Sequence, residues 1–195
     1  MDIKTIVLHH TATEARGNGS EVWEAIKRNV HPKRPPEYIC DYHWGIGPTG
    51  IIYPGQPENQ PCWHCGMDLI NNESLAVSCI GNFELNPMGV EQEKALIAKI
   101  LELKRKYPLA GVRLHKEIVS TNCPGQFFPA RKVLDALFAR KQFSDLPETN
   151  IFYKAITQVV AKGIMNGDGA GEGTFRSNDP VTRGELAQVL CNLEK

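Results

Sequence analysis

Apolar residues along the chain fall into short blocks and helical stripes, and the two alternate. Residues 3–9 contain the block Ile6-Val7-Leu8 and end on His9, a pattern that predicts a buried strand whose carboxyl end opens onto something. Residues 20–30 predict a helix, with Ser20 as N-cap and Glu21 and Glu24 in its first turn. Residues 42–46 and 51–53 flank Pro48-Thr49-Gly50 and predict a β-hairpin. Residues 74–81 predict another strand. Residues 90–107 form the clearest helix, with Leu96, Ile97, Ile100, Leu101 and Leu103 on one side and charges on the other. Residues 111–115 predict a last short strand ending at His115. Mixed strands and helices make the class α/β.

The pattern changes near residue 142. Before it, residues 129–141 predict a helix with Pro129 in the first turn and Val133, Leu134, Leu137 and Phe138 at helical spacing. Turn residues without periodicity then fill 144–150. Residues 149–162 predict a helix with the stripe Phe152, Ile156, Val159 and Val160, closed by Gly163 at C′. A glycine-rich loop, 166–173, leads to Pro180-Val181-Thr182-Arg183-Gly184-Glu185-Leu186. There Thr182 and Glu185 have capping-box spacing, and Val181 with Leu186 can form a hydrophobic staple. Two domains are expected: residues 1–141, and a small all-α helix–loop–helix module over 142–195. The module has about 50 residues, near the lower limit for an unaided core.

Composition narrows the function. The 195 residues are 42% hydrophobic and 23% charged, which excludes wholesale disorder. Basic and acidic residues balance at 22 each, so the basic excess of a nucleic-acid binder is missing. No apolar run reaches the roughly 18 residues of a membrane helix, so no membrane insertion is expected. Met1-Asp2-Ile3-Lys4 leads directly into the first strand without the pattern of a signal peptide, and synthesis in the cytoplasm is the expectation. All six histidines lie at or before position 115, so the last part of the chain offers no imidazole.

Six cysteines in a long, unsecreted chain read as metal ligands or buried thiols before they read as disulfides. His9 and His115 stand at strand ends, and Cys123 follows in Thr121-Asn122-Cys123-Pro124-Gly125. Two imidazoles and a thiolate leave one tetrahedral position open, the pattern of a catalytic zinc site. On spacing alone, the alternative is two polar strand ends and a small buried thiol. His10 and His43 belong on the faces opposite their neighbours and read as structural. Cys62-Trp63-His64-Cys65 has C-x-x-C spacing but no matching second pair, so it reads as two ordinary cysteines. His31, before Pro32, reads as solvated. The loop 167–173 lacks the lysine of a P-loop and the ligand spacing of an EF-hand.

The motifs carry a resemblance. Ile6-Val7-Leu8-His9-His10-Thr11-Ala12, Tyr42-His43, Gly50-Ile51-Ile52-Tyr53, Trp63-His64-Cys65-Gly66, Asn72-Glu73-Ser74-Leu75-Ala76-Val77, Ile80-Gly81-Asn82-Phe83, His115-Lys116-Glu117 and Thr121-Asn122-Cys123-Pro124-Gly125 occur in this order. Together they resemble the zinc N-acetylmuramoyl-L-alanine amidases related to phage amidase-lysozymes and peptidoglycan-recognition proteins, over roughly residues 1–140. The resemblance implies a mixed central sheet flanked by helices, and Zn²⁺ held by His9, His115 and Cys123. It places Tyr42 and Thr121 beside the attacking water and the substrate carbonyl, and His64 in the groove against substrate. Threonine at 121 follows the recognition-protein amidases, where phage amidase-lysozymes carry lysine. A hydroxyl can orient water but cannot supply lysine's charge. The implied reaction is hydrolysis of the amide between N-acetylmuramic acid and L-alanine in peptidoglycan.

The second part resembles one S-layer homology motif, through Phe143-Ser144-Asp145-Leu146-Pro147, Gly163-Ile164-Met165-Asn166-Gly167, Thr174-Phe175-Arg176 and Thr182-Arg183-Gly184-Glu185-Leu186. This implies binding to a secondary cell-wall polymer. Arg183, which capping does not need, is the candidate for an anionic glycan. The family usually carries three copies per chain and this chain has one, so homo-oligomerisation through residues 143–195 is expected. The leading expectation is a wall-targeted zinc amidase, acting as a phage or prophage endolysin or an autolysin. The alternatives are a peptidoglycan-binding protein that does not cut, for which Cys123 would have no use, and a wall-anchored structural protein.

Overall fold

The computed structural model describes residues 1–30, 34–139, 145–146, 149–161, 164–165 and 173–193. The chain divides into two compact units, Met1–Ala130 and Arg131–Lys195. His31, the glycine-rich loop over 166–172, Phe143, Ser144, Gly163 and the expected boundary at 142 lie outside the described residues.

The first unit is built on one five-stranded sheet. Its strands are β1 (Thr5–His10), β2 (Trp44–Ile46), β3 (Ile52–Pro54), β4 (Ser74–Cys79) and β5 (Gly111–Leu114), in the spatial order β3-β2-β4-β1-β5. β1 runs parallel to both β4 and β5, and β2 runs parallel to β4, whereas β2 and β3 form an antiparallel hairpin. The sheet is therefore mixed. The continuous apolar runs Ile6-Val7-Leu8 and Leu75-Ala76-Val77 are almost wholly buried, as inner parallel strands covered on both faces require.

Helix α1 (Ser20–Arg28) begins one residue away from the sequence expectation. Ser20 is the first helical residue, and Gly19 is the cap, at φ 93. A side chain at Gly19 would bring Cβ to 2.8 Å from Ile80 Cδ1 and 2.9 Å from Pro48 Cδ. Asn18 Oδ1 accepts the Ser20 amide in place of a serine cap. The helix buries Trp23 directly over Gly45 of β2, where a Cβ would fall 2.5 Å from the indole. The indole Nε1 donates to Pro54 O at the end of β3.

The short helix α2 (Asp68–Asn72) has no periodicity that the sequence could announce. Helix α3 (Val90–Lys106) matches the expected stripe at Leu96, Ile100 and Leu103, but it also buries Gln92 and Lys99. Gln92 Nε2 donates to Ile46 O and Ile80 O, so it closes the ends of β2 and β4. Lys99 Nζ lies 3.8 Å over the Trp44 ring and pairs with Glu102.

Helices α4 (Ala130–Ala139), α5 (Tyr153–Ala161) and α6 (Arg183–Leu193) follow. In the second unit Leu146, Ile156 and Val160 form a small core, with Tyr153 and Phe175 packed against it. Phe152, expected in this stripe, is 53% exposed, because the buried row runs through 153, 156 and 160. Asp145 accepts the Phe175 and Arg176 amides at 2.7 and 2.6 Å. The capping box of α6 is formed: the Thr182 amide donates to Glu185 Oε2, and the Glu185 amide donates to Thr182 Oγ1. These bonds, with Arg176, hold the Glu185 carboxyl down to about 2.

Candidate metal centre

The site lies at the carboxyl ends of adjacent parallel strands, where α/β sheets place their ligands. Leu8 of β1 stands opposite Leu114 of β5, so the residues that follow, His9 and His115, become neighbours. Their rings lie 4.4 Å apart, centroid to centroid. His115 is the first residue of a 3-10 turn (His115–Glu117) rather than the last of the strand. That turn carries the chain around to Cys123, whose carbonyl accepts the Lys116 amide at 2.9 Å. Gly125 then passes so close to Phe83 that a Cβ would lie 2.3 Å from its carbonyl carbon. Cys123 Sγ comes to rest 3.7 Å from His9 Nδ1 and accepts the His10 amide at 3.4 Å.

Among the described residues two side-chain groups have the composition of a metal site, His9–His115–Cys123 and His9–His64–Cys65. Their spacing separates them. Nitrogen and sulfur ligands sharing a tetrahedral zinc stand roughly 3.6 Å apart, and two nitrogens roughly 3.3 Å. His9 Nδ1 and Cys123 Sγ, at 3.7 Å, match this. Both nitrogens of His115 are buried without a hydrogen-bond partner, and a cation would satisfy the one that carries the lone pair. In the other group, His64 Nδ1 is only 2.9 Å from His9 Nε2 and 3.0 Å from Cys65 Sγ, so these atoms are satisfied by hydrogen bonds to one another. The residues present fit a metal in the first group.

Electrostatics suits neutral ligands. Burial pushes the His9 imidazole well below its ordinary range, and the neighbouring His64 and His115 rings add to this. Burial also lowers His115, with a contribution from His10. Cys123 is pushed up to about 11 by burial, and the His10 amide opposes that rise. A cation favours the thiolate, because it replaces the desolvation penalty with direct attraction.

Two hydroxyls stand by. The Tyr42 ring lies 5.4 Å from that of His9. Burial, then the nearby Cys123, raise its phenol far above the ordinary range, so it remains a proton-bearing donor. Thr121 Oγ1 accepts the Cys123 amide at 3.2 Å, which leaves its own hydrogen to donate elsewhere.

His64, which the sequence reading put in the substrate groove, is enclosed by its neighbours. It is 8% exposed, and its ring is engaged by His9 on one side and by Ser74 Oγ, at 2.9 Å, on the other. Both ring nitrogens are thus engaged within the protein. Burial lowers it to about 3, so it is neutral. His10 and His43 are structural, as expected. His10 Nδ1 accepts the Phe83 amide, and His43 Nδ1 accepts the Ala76 amide. Cys62 and Cys65 are both free and bond to His43 and His64 rather than to each other. Sequence reasoning did not find Ser74, whose part depends on contacts across elements.

In the second unit Arg183 is exposed at the first residue of α6. A cleft of about 280 Å³ beside α6 is lined by Arg176, Asp179, Gln188 and Asn192, among others, and not by Arg183.

A mixed five-stranded sheet flanked by helices is the fold shared by peptidoglycan amidases and peptidoglycan-recognition proteins. The comparisons agree. The structure is similar to the N-acetylmuramoyl-L-alanine amidase LysC from Clostridium intestinale, at 28% identity and a TM-score of 0.59, over 70% of this chain and 86% of that one. It is similar to an endolysin from a Thermus scotoductus bacteriophage, at 28% identity and a TM-score of 0.58, over 70% of this chain and 85% of that one. Drosophila peptidoglycan recognition protein SD shares the fold at 23% identity and a TM-score of 0.58, over 67% of this chain and 79% of that one. No curated protein matches in sequence. The family model described as N-acetylmuramoyl-L-alanine amidase matches residues 1–126, and the S-layer homology domain matches residues 142–187. The chain belongs to the N-acetylmuramoyl-L-alanine amidase family and carries an S-layer homology domain after its amidase domain.

Proposed function

We propose that this protein is a zinc-dependent amidase that cleaves the bond between N-acetylmuramic acid and L-alanine, as an endolysin or autolysin. The observation that carries the reading is the His9–His115–Cys123 group, with its 3.7 Å spacing and the unpartnered nitrogens of His115. These three residues would hold the metal. When bound, zinc supplies Lewis acidity, which polarises a carbonyl and acidifies water. Thr121 uses its remaining hydroxyl hydrogen to orient the attacking water or the substrate. Tyr42, held protonated, donates to the oxyanion that forms as water adds to the amide carbonyl carbon. The C–N bond then breaks and a proton passes to the alanine amine. Similarity to LysC and to the Thermus phage endolysin supports a lytic role.

The amidase domain is assigned to residues 1–141, and the module over 142–195 binds a secondary cell-wall polymer, with Arg183 contacting its anionic groups. An exposed stripe of Leu186, Leu190 and Leu193 on α6 supports self-association through this module. Among the described residues no helix is long and apolar enough to cross a membrane. The test is zinc content measured together with the new amino termini released from purified walls. Chelation should abolish release and added zinc should restore it. Undiminished release by protein shown to be metal-free overturns the mechanism.

A further inference from the structure

His9 can serve the centre only if Nδ1, the nitrogen facing Cys123, is bare. Three groups behind its ring form a line of hydrogen bonds whose direction is set from the far end. The Ile70 carbonyl, at the back of α2, can only accept. Ser74 Oγ lies 2.5 Å from it and donates. The serine oxygen therefore turns its lone pairs to His64 Nε2, at 2.9 Å, which must carry a hydrogen. A neutral imidazole has one N–H, so His64 Nδ1 is bare. His9 Nε2, 2.9 Å from that bare nitrogen, must then be the protonated nitrogen of its ring. His9 Nδ1 is left with its lone pair toward Cys123 Sγ.

We infer that His64 and Ser74 are positioning residues, which fix the tautomer and ring orientation of His9 so that Nδ1 faces the metal centre. This deepens the proposed zinc amidase and rests on that reading for its purpose, though the line of bonds belongs to the protein alone. The surroundings hold the line in place. Asn71 Oδ1 accepts the amides of both His64 and Cys65, at 3.2 and 3.0 Å, and so pins the 64–65 segment to α2. Ser74 begins β4, in register with Thr5 of β1, on the same sheet that carries His9. The Cys65 thiol, 3.0 Å from His64 Nδ1, is in this arrangement a second donor to the same bare nitrogen. Partners behind a metal-binding histidine typically alter metal affinity by roughly 10–100-fold.

The test compares the full chain with Ser74→Ala, His64→Phe and His64→Asn. Asparagine keeps an acceptor oxygen near the place of Nδ1, whereas phenylalanine keeps only the ring. Two quantities are read. One is the His9 tautomer, from multiple-bond ¹H–¹⁵N spectra of chelator-treated protein. The other is the zinc dissociation constant, from competition with a chromogenic chelator. The parent should show His9 protonated at Nε2 alone. Ser74→Ala and His64→Phe should show mixed tautomers and bind zinc roughly 10–100-fold more weakly. His64→Asn should stay closer to the parent in both. Unchanged His9 spectra in both Ser74→Ala and His64→Phe overturn the inference, and if His64→Phe does not fold, the serine variant decides alone. A parent that binds no stoichiometric zinc overturns the metal reading instead, and the tautomer spectra still decide the positioning role.

Discussion

At the residue scale, the centre divides into groups that would hold a cation and groups that would act on substrate. Cys123→Ser exchanges a soft thiolate for a hydroxyl and should remove bound zinc. Tyr42→Phe deletes one oxyanion donor from a buried site, which should lower kcat roughly 10²-fold or more while zinc is retained. Thr121→Val should also keep zinc and slow turnover. Zinc content and kcat measured on the three variants check this, and parent rates in both hydroxyl variants would remove their assigned roles. His9, His115 and Cys123 could be picked out as candidates in the sequence because two strand ends, a Cys-Pro-Gly turn and the family motifs leave a local mark. His64 was legible only as a histidine in a motif. Its burial, and the Ser74 hydroxyl behind it, are invisible until α2 folds the intervening residues back on themselves.

At the element scale, buried polar side chains join strands and helices that periodicity describes only one at a time. His43 is the clearest case. Its amide donates to Ala76 O of β4 and its carbonyl accepts the Gly55 amide, while its ring accepts the Ala76 amide at Nδ1 and donates from Nε2 to Gln60 O. Burial lowers this imidazole to about 4, against the bond to Gln60, which raises it. An unfolded chain binds the proton near the ordinary value of about 6.5. The neutral ring's contribution to stability is therefore complete above pH 6.5 and is lost as pH falls toward 4, by about 3 kcal/mol in all. In His43→Asn the loss of unfolding free energy across this window should be smaller by about that amount. Urea titrations at several pH values, with chelator present, measure it. Parallel profiles for parent and variant would show that His43 does not carry the acid sensitivity.

At the scale of the whole molecule, the proposed chemistry and the proposed wall binding fall in separate compact units. Among its described residues the second has a core of three buried side chains and a formed capping box, and its sequence has no histidine for a metal group of the kind found in the first. A chain ending at Lys141 should cleave soluble muropeptides at the parent rate yet sediment poorly with intact walls. Arg183→Ala should reproduce the loss of wall binding while leaving the fold intact, because the Thr182–Glu185 bonds that start α6 do not involve it. One motif offers one polymer site. Association through the Leu186, Leu190 and Leu193 stripe could add avidity of roughly 10²–10⁴-fold. Cosedimentation with walls and the mass in solution are the measurements. Equal wall binding by full and shortened chains would dismiss the targeting role, and a strictly monomeric full chain would dismiss association.

Local order was written in the sequence by itself. The apolar blocks of β1 and β4, the stripe of α3, the hairpin turn at Pro48-Thr49-Gly50 and the Thr182–Glu185 cap are all properties of neighbours in the chain, where period and turn chemistry act directly. Strand order β3-β2-β4-β1-β5 was not so written, since pairing joins residues dozens of positions apart. Nor were the burial of Gln92 and Lys99, the glycine cap of α1 or the company that His64 keeps. Each depends on what a second element brings within hydrogen-bonding or van der Waals reach. Tertiary structure thus decided which imidazole nitrogen of His9 faces the candidate metal centre and which is tied behind it, because a tautomer is set by partners in space and not by spacing along the chain.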